Sequence, residues 1–201
     1  MTSPFSFARF SNVSARKQEI LEIAAQLFAT KGYRGTSIRD IGNRAGVLGG
    51  SLYHHIKSKN ALFVELHNAA LDAAAERIEQ AVAKVHNPAA RLEAACVTFV
   101  EIQVDVDSLT FPMMSDFREV PDDVRKELIA RRDRFENFFR RLVDELALPP
   151  EIDRSVYRNA LLAQLNSVPN WYRPGRLSAA EIGRQIALIF LPDEAARTRP
   201  A

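Results

Sequence analysis

Residues 46–59 read GVLGGSLYHHIKSK. Leu52 and Ile56 stand four apart, the spacing that puts two apolar side chains on one face of a helix, and around them crowd Gly49, Gly50, Ser51, Tyr53, His54, His55 and Lys57. Each interior glycine costs about 1 kcal/mol relative to alanine, so a helix that opens on two of them is not built for stability alone. With no side chains at its start, it can bring its N–H groups close to a phosphate or a base edge. Ser51, Tyr53, His54 and His55 can hydrogen-bond to either, and Lys57 and Lys59 add positive charge beside the backbone. Neighbouring histidines on a helix diverge by about 100°, so the pair does not converge on one ion and no metal is expected.

The flanking residues supply the rest of a helix-turn-helix. Upstream, Ser37-Ile38-Arg39-Asp40 is a capping box opening a short helix that buries Ile38, Ile41 and Ala45 and closes at Gly46. Before it, Ile20, Leu21, Ala24, Leu27 and Phe28 mark a helix from about 15 to 30, stopped by Gly32. Two short helices across Gly46-Val47-Leu48 have the dimensions in which one braces the backbone while the next enters the major groove. Downstream, Ser58 caps a long helix with Leu62, Phe63, Leu66, Ala70 and Ala73 on one side, and Pro88 breaks the chain. Further helices are expected near 88–106, 108–117, 121–146, 150–168 and 178–190, the last capped by Ser178. No segment alternates like a strand. The expectation is an all-α chain of about nine helices: a disordered basic arm (1–14), a three-helix head (15–57), a helical bundle (58–191) and a tail (192–201).

Composition agrees with a soluble globular chain, at 47% hydrophobic and 26% charged over 201 residues. The lone cysteine, Cys96, excludes an internal disulfide and fits a reducing cytoplasm; its apolar surroundings favour inert packing. No apolar run approaches the ~18 residues of a membrane span, and the start, MTSPFSFARFSNVSARK, lacks a signal-peptide pattern. The net charge is +2, but residues 1–67 hold nine Lys/Arg against four acids, so the front is +5 and the remainder −3. That asymmetry favours a polyanion as the front's partner. No glycine-rich phosphate loop, Ser-His-Asp set or paired carboxylates stand out, so neither an enzyme nor a cofactor is expected.

Residues 15–65 strongly resemble the N-terminal domain of TetR-type transcriptional regulators. The matching pieces are AAQLFATKGYRGTSIRDIGNRAGV and GSLYHHIKSKNALF, including Gly32-Tyr33 before Thr36-Ser37, Asp40-Ile41, Ala45-Gly46-Val47, and Leu52-Tyr53 with His54 and Lys59. The resemblance implies Thr36, Ser37 and Arg39 near phosphates, Gly49, Gly50, Ser51, Tyr53 and His54 at the groove, and His55 and Lys59 at its edge. Arg16, at the start of the first helix, joins this set. Two positions depart from the family pattern: Leu48 replaces a capping serine, and Gly42 replaces an alanine, which should loosen its helix.

Behind the head the resemblance holds only in outline. It implies a cytoplasmic homodimer on a palindromic double-stranded operator, released by a small-molecule effector, with no membrane partner. For the dimer interface the last two helices offer Leu161, Leu162, Leu165 and Val168 on one face and Ile182, Ile186, Ile189 and Phe190 on the other, though the same residues could form internal core. Effector candidates are Phe99, Gln103, Phe111, Met113, Met114, Phe117, Phe135, Phe138, Phe139, Asn159, Asn166 and Trp171, with plain core again the alternative for the aromatics and methionines. Arg131, Arg132, Arg134, Arg140 and Arg141 form either an anion-holding rim or a solvated face. Asn170-Trp171-Tyr172-Arg173-Pro174-Gly175 is similar to the loop before the last helix in TetR-type regulators of fatty-acid and sterol catabolism, which implies an acyl-CoA or another lipid-like acid as effector. An effector-independent DNA-binding regulator and a transcriptional activator remain alternatives.

Overall fold

A computed structural model describes residues 14–47, 49–105 and 120–191. Among them are eight helices: α1 (Ala15–Gly35), α2 (Ile38–Ala45), α3 (Gly49–Leu52), α4 (Lys59–Val82), α5 (Pro88–Val104), α6 (Asp122–Asp144), α7 (Arg154–Trp171) and α8 (Ala179–Phe190). The helix expected at 108–117 lies outside the described residues, as do nearly all of the arm at 1–14 and the whole tail at 192–201.

Local chemistry sets the boundaries. Gly32 takes φ 71°, which interrupts α1 near the point where its apolar period ends. Asn87 caps α5, whose first residue is Pro88, where the missing N–H costs nothing. Ser178 and Glu181 form a reciprocal capping box at the start of α8. α7 runs past Pro169 to Trp171, farther than the sequence suggested; the Tyr172 N–H donates to the Val168 carbonyl at 2.8 Å and closes the last turn.

The chain divides into two compact units. One takes the described residues up to Ala73 together with 120–132; the other takes Ala74–Asp105 and the described residues from Asp133 onward. In the first, Ile20, Leu21, Phe28, Ile41, Leu52, Leu62, Phe63 and Leu66 form one core, joined by Val120, Val124 and Leu128. Phe63 of α4 meets Phe28 edge-on at 5.0 Å and Tyr33 at 5.1 Å, so the head's core is completed by residues beyond position 57.

In the second unit α5 packs on α8 and α7. The α5–α8 crossing is tight at Gly183, and Cys96 beside it is fully buried. Tyr157 of α7 donates its hydroxyl to the Phe190 carbonyl and stacks edge-on against the Phe190 ring at 5.5 Å. Leu161, Leu165 and Val168, expected at a dimer interface, are 0% exposed within the single chain and pack in its core. Ile182 and Ile186 are also buried, whereas Ile189 is 79% exposed and Phe190 half-buried. The apolar positions left outside on α7 are Val156, Ala160, Ala163 and Trp171, at i, i+4, i+7 and i+15, the spacing of one helical face.

Candidate nucleic-acid interface

The turn between α2 and α3 is built by backbone geometry. Ser37 and Asp40 cap α2 reciprocally, and these hydrogen bonds from Ser37 hold the Asp40 carboxyl below its ordinary value. Gly46 ends α2 in the left-handed region at φ 65°. The Val47 N–H then returns to the Gly42 carbonyl at 2.9 Å, and a Cβ on Gly42 would sit 3.1 Å from the Val47 carbonyl oxygen. Gly42 therefore gives the turn room to fold back on α2, a role beyond loosening its helix.

α3 itself is one turn long, shorter than the 3.6-period pattern implied. After Leu52 the bonds tighten: the His54 N–H reaches the Ser51 carbonyl at 3.3 Å and the His55 N–H the Leu52 carbonyl at 2.9 Å. Leu52 and Ile56 are buried and anchor the segment, while Gly50, Ser51, Tyr53, His54 and Lys57 are exposed, Tyr53 by 57%. Nothing lies within 4 Å of the position a Cβ would take at Gly50. Gly49 opens the same turn; Leu48 lies outside the described residues. Ser37 and Arg39 are exposed at the start of α2, and His55 is half-buried.

Three of the residues expected at the DNA are otherwise engaged. Thr36 is 1% exposed, and its hydroxyl donates to the carbonyls of Gly32 at 2.9 Å and Leu27 at 3.1 Å, so it holds the α1–α2 corner and cannot reach DNA. Arg16 pairs with Glu19 and donates to the Ala45 carbonyl at 2.6 Å, tying α1 to the end of α2. Lys59 lies 4.0 Å over the Tyr33 ring, and partial burial pushes its pKa down. Tyr33 also donates to Asn60, and burial pushes its phenol up. A residue that sequence reading missed is Lys17, whose ammonium meets Glu65 of α4 at 2.9 Å. Nothing in the sequence signals a pair so far apart along the chain.

The effector candidates divide. Phe99 lies 5.5 Å from Phe139 and 5.9 Å from Phe135, and these three rings are buried in contact with one another; Phe138 meets Phe139 edge-on at 6.1 Å. One turn along α5 from Phe99, buried Gln103 donates through Nε2 to Asn166 of α7 at 2.9 Å, while its Oε1 has no partner among the described residues. Asn159 is exposed on α7. Phe111, Met113, Met114 and Phe117 lie outside the described residues. Arg131 is engaged by Asp72, and the Arg141 guanidinium sits 5.7 Å over Phe138. Trp171, half exposed, instead borders a surface groove of about 500 Å³ with Arg173, Arg176, Ile182, Ile186 and Ile189. Burial pushes the Cys96 thiol up to about 12, which makes it unreactive. Among the described residues no helix is long and apolar enough to cross a membrane, and no group of three His, Cys, Asp or Glu is placed to hold a metal.

Residues 20–66 match the family model for bacterial regulatory proteins of the tetR family, and 85–192 match that of the tetracyclin repressor-like C-terminal domain. The transcriptional repressor KstR2 of Mycobacterium tuberculosis H37Rv is 32% identical over 186 residues, covering 89% of this chain and 92% of that protein. KstR2 of Rhodococcus jostii RHA1 is 33% identical over 190 residues, covering 90% and 92%. Among solved structures, the ketosteroid transcriptional regulator KstR2 of M. tuberculosis superposes with TM-score 0.71 at 29% identity, over 89% of this chain and 94% of the other. AibR, in complex with isovaleryl coenzyme A and operator DNA, shares the fold with TM-score 0.76 at 24% identity, over 87% and 97%.

Proposed function

The chain belongs to the TetR family of bacterial regulatory proteins, and from that premise we propose that it is a ligand-responsive, homodimeric transcriptional repressor acting on a palindromic operator. The observation that carries this is the exposed run of Gly50, Ser51, Tyr53 and His54 standing on buried Leu52 and Ile56. Among the described residues the polar side-chain donors there have no internal partner, whereas the apolar pair beneath fixes their direction. One such turn offers few contacts, so two copies related by a two-fold axis are needed to read two half-sites.

The pairing surface we propose is the exposed face of α7 at Val156, Ala160 and Ala163, clear of the groove that Trp171 and Ile189 border. The small residues let two helices approach closely, and Val156 loses water on pairing. For the effector, the proposed class is an acyl-CoA or another lipid-like acid. In support, the groove at Trp171 joins apolar walls to the guanidinium groups of Arg173 and Arg176, chemistry that suits an apolar body with an anionic group. The fold-sharing AibR is a case in which isovaleryl coenzyme A and operator DNA are bound by one protein of this architecture.

The effector acts only through its difference in affinity between the DNA-bound and released conformations. α4, whose residues belong partly to each unit, is the candidate lever. Gel retardation of promoter fragments, starting with the region upstream of the chain's own gene, tests the reading. Retardation relieved by an acyl-CoA series supports it. Retardation that no effector relieves leaves a plain DNA-binding protein, and no retardation of any fragment removes the function.

A further inference from the structure

Next to the exposed Tyr53–Lys57 segment the head has a surface concavity of about 480 Å³, floored by Ile56 and Leu62 and edged by Lys17, His55, Lys57 and Glu65. Across its rim the Lys17 ammonium donates to Glu65 Oε1 at 2.9 Å. The pair is neither buried nor free: the Lys17 side chain is 26% exposed and that of Glu65 36%. Glu65 is thus an acid set among cations on the face where a polyanion would lie, in a front segment carrying only four acids against nine bases.

We propose that Lys17 and Lys57 grip one backbone phosphate beside the groove, and that Glu65 is an internal competitor for that phosphate that holds DNA affinity down. This rests on the DNA-binding reading above and adds to it a named phosphate site and its brake. An ammonium has three donors, so Lys17 can keep one on Glu65 while turning another to the phosphate. The incoming phosphate then stands close to the Glu65 carboxylate, and their repulsion in a solvent-screened setting is worth about three- to tenfold in affinity. A contact to a phosphate carries no sequence information, so the effect is the same on any duplex. A pair this open to solvent contributes at most about 1 kcal/mol to stability, so neither substitution unfolds the head.

The test uses the full chain and a labelled random-sequence duplex, with affinity measured by fluorescence anisotropy across a salt series. Glu65→Gln tightens binding about three- to tenfold at low salt. Lys17→Gln weakens it and lowers the slope of log affinity against log salt by about 0.9, while Lys17→Arg keeps the wild-type slope. In the Lys17→Gln background, Glu65→Gln gains less than it does alone. Glu65→Gln that binds as wild type or more weakly, with an unchanged melting midpoint, overturns the proposal. Should that variant melt early, Lys17→Gln decides: an unchanged slope overturns it equally. A wild-type chain that leaves the duplex free overturns the DNA-binding reading and this site with it, whereas a binding wild type with indifferent variants overturns this site alone.

Discussion

Gly183 of α8 lies against the backbone of Val97 in α5, so close that a Cβ on Gly183 would sit 2.6 Å from the Val97 Cα and 2.9 Å from the Cys96 carbonyl oxygen. On helix propensity alone, Gly183→Ala should stabilise α8 by about 1 kcal/mol. The contact reverses the sign, because neither obstacle is the movable end of a side chain. The crossing must open, at a cost of about 1–3 kcal/mol. Thermal denaturation of Gly183→Ala should show a lower midpoint than wild type; an equal or higher one would mean that α5 and α8 cross farther apart.

In the head, Leu52 and Tyr53 are neighbours with opposite duties, 0% and 57% exposed. Leu52→Ala leaves a cavity in the core and should cost about 2–5 kcal/mol of stability. Tyr53→Ala removes nothing from the core, so the melting midpoint should hold while operator retardation weakens by tenfold or more, on the order of one lost base or phosphate contact. Unchanged retardation would take this turn out of the groove.

The α7 face predicts how the chain associates. Val156 is 67% exposed and stands on the proposed pairing surface, so Val156→Asp should yield a folded monomer by analytical ultracentrifugation, with helical circular dichroism intact. Leu165→Asp, by contrast, places a charge in the core and should abolish folding. A Val156→Asp chain that sediments as a dimer would move the interface elsewhere.

Two capping carboxylates shape the acid limb of stability. Ser37 holds Asp40 and Ser178 holds Glu181 below their ordinary values through hydrogen bonds to the charged form. A pKa depressed by folding contributes stability that is complete above the unfolded-state value, about 4, and fades as pH falls through the lower folded value. Urea midpoints for Asp40→Asn and Glu181→Gln should therefore lie below wild type near neutrality and converge with it on acidification. Parallel curves down to the acid limit would show that the caps do not titrate with folding.

Among the described residues the buried Gln103 Oε1 meets no partner, while its Nε2 donates to exposed Asn166. Removing a buried acceptor that has no partner removes a desolvation cost, and Asn166 can turn to water. Gln103→Leu should keep or raise the melting midpoint. A clear drop would show that the amide is a structural tie between α5 and α7.

Helix positions were legible because periodicity and caps act within a few residues. Ser37-Asp40 closes a reciprocal box where the spacing predicts one, Ser178 caps the last helix as expected, and Gly32 and Gly46 take the positive φ that interrupts or ends a helix. Family membership was legible for the same reason, since its motif is a contiguous run of residues in the head. The fates of single side chains were not. Thr36 reads as a phosphate ligand until the carbonyls of Leu27 and Gly32 are found around its hydroxyl, and Arg16 and Lys59 find partners in Ala45 and Tyr33 that lie far along the chain.

Helix α7 shows the division most plainly. Its sequence alone determined that it is a helix with Leu161, Leu165 and Val168 on one apolar face, because backbone hydrogen bonding and the 3.6-residue period need no partner to be recognised. Whether that face turned inward was decided by where α5 and α8 stand, with Gly183 permitting the approach: Leu161, Leu165 and Val168 pack inside, and Val156, Ala160 and Ala163 remain in water. Burial is a property of neighbours brought together from distant parts of the chain, and no local pattern contains them.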